Sequence, residues 1–298
     1  MDYLLHIGIM AMIYFATVQA LNIYLGYSNI LALSHVAFTA IGAYASALIT
    51  LNGGSTLTGF LVGIILCASL GFIVGLSSIK LDADYLGIAT LGFTMIVNGI
   101  LLNWSEVTRG PLGLPGIPRP EVFGYRFATK IELFIFISLI SIFLLWIMWR
   151  LVKSPYGRIL ETIREDETAA QSLGHNTTNY KLQVFVIGSV IAGITGGMWS
   201  HFLTFIDPKF FVIADMGLLL VMLLVGGAGT FRGPFYGVLF ILLIQEGVTF
   251  LPIAPQLVGS LQLFLYSFLF LAVLMYFPEG IGGYIKNKKR GRKQLMNY

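Results

Sequence analysis

Apolar residues run almost unbroken through nine stretches of the chain: Tyr3–Leu25, Leu33–Leu51, Leu57–Ile79, Tyr85–Trp104, Ile131–Leu151, Leu182–Phe205, Met216–Thr230, Phe235–Leu251 and Gly259–Phe277. A membrane-spanning helix needs roughly 20 such residues. The runs are continuous rather than alternating, which points to helices and excludes a closed barrel. The pattern predicts an all-α polytopic transmembrane helical bundle of about 8–10 spans. Three stretches are short or interrupted by glycine, which makes some of them candidates for re-entrant or half-helices and leaves the number of spans open.

Between the fifth and sixth stretches lies the longest strongly polar run, Ser154–Lys181, SPYGRILETIREDETAAQSLGHNTTNYK. Ser154 is placed to cap a helix beginning at Pro155, which needs no N–H there. Ile159, Ile163, Ala170 and Leu173 then fall near one face, with carboxylates on the others. Gly174 supplies the stop, and Asn176 or Thr177 caps a second helix running into the next span. The spacing predicts one short amphipathic helix over 154–174, held at the membrane surface with an acidic outer side. On spacing alone, a solvated loop helix without a partner fits equally well.

Ser105–Lys130 carries Pro111, Pro115, Pro118 and Pro120 together with Gly110, Gly113, Gly116 and Gly124. Such a segment is expected to be turn-rich rather than helical, either a docking face or a plain connector. The third stretch carries Gly59, Gly63, Cys67, Gly71 and Gly75 at four-residue spacing, and Gly193 and Gly197 repeat the spacing in the sixth. Small residues on one ridge let helix backbones approach closely in lipid. GGAGTFRG at Gly226–Gly233 lacks the Gly-Lys-Ser/Thr end of a phosphate loop and is expected to be a tight turn whose Arg232 reaches the headgroups.

Composition agrees. The chain is 57% hydrophobic and 11% charged, with mean hydropathy +0.84; soluble domains carry about 25% charged residues. The start MDYLLHIGIM lacks a basic segment and merges into a full span, so no cleavable signal peptide is expected. One cysteine, Cys67, excludes an intrachain disulfide. The net charge of +4 does not point to nucleic acid, because the tail from Lys286 holds six of the bases and reads as an anchor on an anionic leaflet. With Ser154–Lys181 inside, Lys80, Arg150, Lys153, Arg158, Arg164, Lys181, Arg232 and that tail are inside too. Only Arg109, Arg119, Arg126, Lys130 and Lys209 are outside. This asymmetry predicts the N-terminus out and the C-terminus in.

No catalytic set is legible. His6, His35, His175 and His201 form no metal-ligand spacing, and neither a metal nor a cofactor is expected. Glu132 and Glu246 are the acids within the apolar stretches. Glu246 motivates an ion-coupled carrier as an alternative, and a membrane scaffold or integral enzyme is a third class. A transporter with neither ion relay nor nucleotide site of its own draws energy from elsewhere, and a fixed polar elbow suits an external motor.

The run SPYGRILETIREDETAAQSLGHNTTNYK resembles the cytoplasmic loop of the permeases of branched-chain amino-acid ABC importers, the LivM subfamily. Glu167, Ala169, Ala170 and Gly174 look like the EAA…G element with which importer permeases engage their ATPase. GYSNILALSHVAFTAIGAY from Gly26, LDADYLGIATLGF, LLNWSEVTRGPLGLPGIPRP and GGAGTFRGPFYG resemble further signatures of that family, in order over most of residues 26–245. The sequence departs from the family's pattern at Asn29, Ile30 and Ser34, and related permeases move urea or short amides. The resemblance implies a transmembrane permease domain over 1–277, with a coupling loop at 152–181 on the cytoplasmic side and an extracytoplasmic loop at 105–130. A basic cytoplasmic tail follows at 278–298. It implies a second homologous permease, two ATP-binding cassette subunits and an extracytoplasmic solute-binding protein as partners in the cell membrane. The coupling residues would be Arg158, Glu161, Arg164, Glu165, Asp166, Glu167, Ala169, Ala170 and Gly174. Gln19, Asn22, His35, Asn98 and Asn103 are candidates for the substrate path, with helix-packing hydrogen bonds as the competing role.

Overall fold

The computed structural model describes residues 2–78, 81–249 and 255–276. The expected basic tail lies outside the described residues. The chain forms two compact units, Met1–Met216 and Gly217–Tyr298.

The first unit holds the helices α1 (Asp2–Ser28), α2 (His35–Leu51), α3 (Thr56–Ser78), α4 (Ala83–Asn103) and the short α5 (Ser105–Thr108). Three two-residue strands follow: β1 (Leu114–Pro115), β2 (Glu121–Val122) and β3 (Tyr125–Arg126). Then come α6 (Lys130–Lys153), α7 (Pro155–Glu165), α8 (Glu167–Ser172), α9 (Thr177–Leu203) and β4 (Phe205–Ile206). Helix α10 (Ile213–Gly226) begins in this unit. Helices α11 (Gly233–Thr249) and α12 (Pro255–Tyr276) belong to the second. Among the described residues, α1, α3, α4, α6 and α9 are long and apolar enough to cross a membrane, and α2, α10, α11 and α12 are shorter apolar helices. Each of the nine apolar stretches has thus become one helix.

Helices α2, α3 and α9 pack on one another, while α1 packs between α6 and α9. Glycine makes this possible. The buried face of α3 contains Gly59, Gly63, Cys67, Gly71 and Gly75, the ridge expected from the four-residue spacing. A Cβ on Gly42 of α2 would lie 2.0 Å from the Gly193 carbonyl oxygen of α9, and one on Gly196 would lie 1.9 Å from that of Thr39. The helices therefore meet backbone to backbone, which suits association in lipid, where close van der Waals packing replaces the hydrophobic drive. A second apolar cluster joins Ile9 and Ile13 of α1 to Leu133 and Ile137 of α6 and to Phe60 and Met198.

The 105–130 segment is turn-rich as expected, but it opens on the helical turn α5 and carries strands that the proline pattern did not predict. β1 pairs antiparallel with β4, Leu114 opposite Ile206. β2 and β3 form a hairpin across Phe123 and Gly124, whose φ values are +49 and +80. Two positive φ values suit the primed turns that match strand twist. In the second unit, Thr230 Oγ1 accepts from the Gly233 amide at 3.0 Å in the glycine turn before α11. Arg232 is exposed there. Gln262 of α12 donates to the Gln245 carbonyl of α11 at 3.1 Å.

Candidate functional site

The polar run between α6 and α9 is an elbow of two helices, not the single helix expected over 154–174. The break is at Asp166, whose backbone is extended at φ −154, ψ 108. Its carboxylate accepts from the Thr168 hydroxyl at 2.6 Å and from the Ala169 amide at 3.0 Å. Asp competes with helix interiors in this way because its short side chain satisfies first-turn amides. The Thr168 hydroxyl and then the Ala169 amide hold the Asp166 carboxyl below its ordinary range. Ser154 stands at the start of α7 but does not cap it; its hydroxyl donates back to the Leu151 carbonyl at 2.7 Å. Pro155 occupies the first helical position as expected. Gly157 lets the chain double back, since a Cβ there would lie 2.0 Å from the Val152 carbonyl oxygen.

The elbow's buried side is Gly157, Leu160, Ile163 and Ala170. Ile159 is half-buried, and Leu173, expected on the same face, is 71% exposed. Leu173 lies beyond the end of α8, just before the stop, so the helical period no longer governs it. Gly174 takes φ +87. Its amide donates to the Gln171 carbonyl, and that of His175 to the Ala170 carbonyl at 3.2 Å. This is the Schellman pattern, in which a left-handed residue closes the helix. Asn176 caps α9 by accepting from the Asn179 amide at 3.1 Å.

Four links tie the elbow to the helices beneath it. The Arg164 guanidinium donates to the Gly26 carbonyl of α1 at 2.5 Å. Lys181 of α9 pairs with Glu167 at 2.5 Å. Gln171 donates to the Thr177 hydroxyl at 3.0 Å. The Tyr156 hydroxyl donates to the Tyr180 carbonyl at 3.3 Å, and burial pushes that phenol up to about 12. Of the expected coupling residues, Arg158, Glu161, Glu165, Ala169 and Gly174 lie on the exposed side. Arg164 and Glu167 also make the internal ties, and Ala170 is fully buried. A cleft of about 530 Å³ separates Arg164 and Glu167 of the elbow and Lys181 of α9 from Ser28–Ile30 and from Asp82 and Leu86.

The five candidates for a substrate path do not form one cluster. Gln19 and Asn22 are buried on α1, and Gln19 Nε2 makes no hydrogen bond. His35 opens α2, fully buried, and its ring meets the Thr17 carbonyl of α1 without the geometry of a full hydrogen bond. Asn98 donates to the Pro208 carbonyl at 3.0 Å and to that of Phe211 at 3.4 Å, fastening α4 to the turn before α10. Asn103 is exposed and donates to the Gly99 carbonyl of its own helix at 2.7 Å. Sequence reasoning weighed His201 only as a metal ligand. Its Nδ1–H donates to the Pro118 carbonyl at 2.8 Å and its Nε2 accepts from the Ser46 hydroxyl at 2.9 Å, so one buried ring joins α9, α2 and the 105–130 segment. A polar ring inside an apolar span was the only signal for it.

The family described as "Branched-chain amino acid transport system / permease component" matches residues 3–274. The chain is 35% identical over 252 residues to the LivM permease protein of the high-affinity branched-chain amino acid transport system of Salmonella typhimurium. It is 34% identical over 248 residues to the LivM protein of Escherichia coli, and each alignment covers 75% of this chain and 58% of the relative. A probable LivM permease protein of Methanocaldococcus jannaschii is 29% identical over 241 residues, 74% of this chain and 67% of the relative. The chain thus spans under two thirds of the length of its two enterobacterial relatives. No solved structure matches. With its apolar helices and a family match running nearly end to end, the chain is a multi-pass membrane protein that belongs to the branched-chain amino acid transport permease family.

Proposed function

We propose that the chain is the transmembrane permease subunit of an ATP-driven importer for branched-chain or similar hydrophobic amino acids. In this reading it pairs with a second, similar permease and two ATP-binding cassette subunits, and takes substrate from an extracytoplasmic solute-binding protein. The 152–181 elbow faces the cytoplasm, the 105–130 segment faces the binding protein, and the basic tail lies inside.

The observation that carries the reading is the construction of the elbow. A slack connector has no need of a side-chain cap at Asp166, a Schellman stop and side-chain ties to α1 and α9. These bonds make α7 and α8 a block that moves with the ends of the helices below. Its outer face offers charges at Arg158, Glu161 and Glu165 and an apolar knob at Leu173. Closure of an ATPase pair against that face displaces the block, and the bundle then alternates access.

The test is uptake by membranes carrying the assembled importer. Gly174→Leu forces a side chain into φ +87, and Glu167→Lys replaces an ion pair with repulsion. Both variants are expected to insert in the membrane and lose ATP-driven uptake. Normal uptake in both removes the coupling role. Uptake that survives loss of ATP and collapses with an uncoupler favours an ion-coupled carrier instead.

A further inference from the structure

The break between α1 and α2 runs from an exposed Asn29 to the buried Ser34. The Tyr24 hydroxyl near the end of α1 donates to the Phe185 carbonyl at 3.1 Å. Phe185 is about 12 Å along α9 from its first residue, at 1.5 Å per residue. The His35 ring stands edge-on to Tyr24, with centroids 5.8 Å apart. So α2 starts below the first turns of α9. Non-helical backbone at such depth is tolerated where it is buried in protein or lines a cavity, and transporters place substrate sites at broken helices of this kind.

The break satisfies its own backbone. The Ile30 amide donates to the Tyr24 carbonyl at 2.9 Å, and the Leu33 amide donates to Thr90 Oγ1 at 3.1 Å. The Thr94 hydroxyl donates to the Leu33 carbonyl at 3.0 Å. The next two side chains are left over. Ser34 is 1% exposed and His35 is 0% exposed; Ser34 Oγ has no hydrogen-bond partner, and the His35 ring meets only the Thr17 carbonyl of α1, without the geometry of a full hydrogen bond. Ser34 stands at the cap position of the 17-residue α2 without capping it. Buried polar groups are normally paired, so unmet polar atoms on adjacent residues call for a ligand or a role.

These groups share one character. A neutral imidazole N–H, a hydroxyl and the first-turn amides of a helix are all donors, set where the helix dipole favours negative charge. They match a carboxylate, and without a fixed cation they hold it weakly enough to let it leave. Phe38, one turn further along α2, packs its ring 5.3 Å from Phe93 and 6.0 Å from Phe185, giving an apolar wall beside the donors. The 530 Å³ cleft abuts the same break at Ser28–Ile30, where Arg164 grips the end of α1.

We propose that the start of α2, with Ser34 and His35, forms the subsite that receives the α-carboxylate of the transported amino acid, its aliphatic side chain lying toward Phe38 and Phe93. The inference rests on the importer reading above. Motion of the elbow, transmitted through Arg164 to the end of α1, opens and closes this subsite.

The experiment uses the importer reconstituted in vesicles with its ATPases, second permease and binding protein, and measures leucine moved and ATP hydrolysed together. His35→Phe keeps a ring and removes the donors; losing a hydrogen bond to a charged group corresponds to roughly a tenfold fall in uptake. Ser34→Ala is expected to lower uptake less, and His35→Asn, which keeps an N–H, to restore part of it. ATP hydrolysis stimulated by the binding protein is expected to stay within about twofold in all three, since the elbow is intact. In detergent without the binding protein, leucine is expected to raise the melting temperature of the unaltered complex and its carboxamide is not. Unchanged uptake in His35→Phe and Ser34→Ala, a parallel loss of uptake and ATP hydrolysis, or equal stabilisation by the carboxamide would each overturn the inference. An unaltered complex that moves no amino acid would instead sink the importer reading, and the inference with it.

Discussion

The crossing of α2 and α9 sets a sharp test of what holds the bundle together. A Cβ built on Gly42 lies 2.0 Å from the Gly193 carbonyl oxygen and 2.4 Å from the Gly193 Cα. Real Cβ atoms essentially never come within 3.0 Å of another heavy atom, so Gly42→Ala must part the two helices by about 1 Å. The obstacle is backbone, so no rotamer change relieves it. Overpacking of a tight core costs about 1–3 kcal/mol, and an immovable obstacle places this variant near the upper end. At about 2–4 °C per kcal/mol, melting of the purified protein in detergent should fall by about 6–12 °C. Gly99→Ala is the matched control: nothing lies within 4 Å of its Cβ, and alanine favours a helix over glycine by about 1 kcal/mol. That variant should melt at or above the unaltered protein. Gly193→Ala differs again, because its Cβ meets the Cys67 sulfur at 2.5 Å. A second change, Cys67→Ala, should recover much of that loss, whereas no side-chain change at position 193 can rescue Gly42→Ala. Equal melting of Gly42→Ala and Gly99→Ala would refute backbone contact as the basis of this packing.

The elbow and the outer segment give further tests. Asp166→Ala should speed hydrogen exchange at the Thr168 and Ala169 amides, while Asp166→Asn should keep most of the protection. The Asp166 carboxyl is held below its ordinary range, so the cap is present above the unfolded value and is lost as pH falls through the depressed folded value; exchange in α8 should accelerate over that acid window. Glu167→Lys combined with Lys181→Glu should recover ATP-driven uptake lost in Glu167→Lys alone, because the pair at 2.5 Å is re-formed with reversed sign. Failure of the double variant would assign Glu167 to an external contact rather than to the tie. His201→Ala should raise the rate of proteolysis within 105–130, since it removes both the Pro118 and the Ser46 bonds, and an unchanged rate would show that the segment is held without His201, by its strands and bonds such as that from the Glu121 amide to Thr56 Oγ1.

Much of the architecture was written in one dimension. Membrane spans depend on the length and polarity of contiguous segments, so nine apolar stretches became nine helices without any long-range information. The same holds for local stereochemistry: the stop at Gly174 and the cap at Asn176 are decided by a residue and its nearest neighbours. The glycine ridge of α3 was legible too, since a four-residue period puts its members on one face.

Other features depended on which segments meet. Whether Asp166 continues a helix or breaks it is a contest between nearly equal local options, settled here by the Thr168 and Ala169 bonds and by the seat of Ala170 against the bundle. Asn98, Asn103 and His35 look alike in sequence, as polar residues in apolar runs. Only the packed structure separates Asn98, which spends its donors on Pro208 and Phe211, from His35, which is sealed in with only the Thr17 carbonyl beside its ring. Arg164 and Gly26, or His201 and Pro118, lie far apart along the chain, and no periodicity pairs them. Burial and periodicity are properties of a segment and can be read from it, whereas the satisfaction of a polar group depends on its neighbours in space, which exist only once the helices have packed.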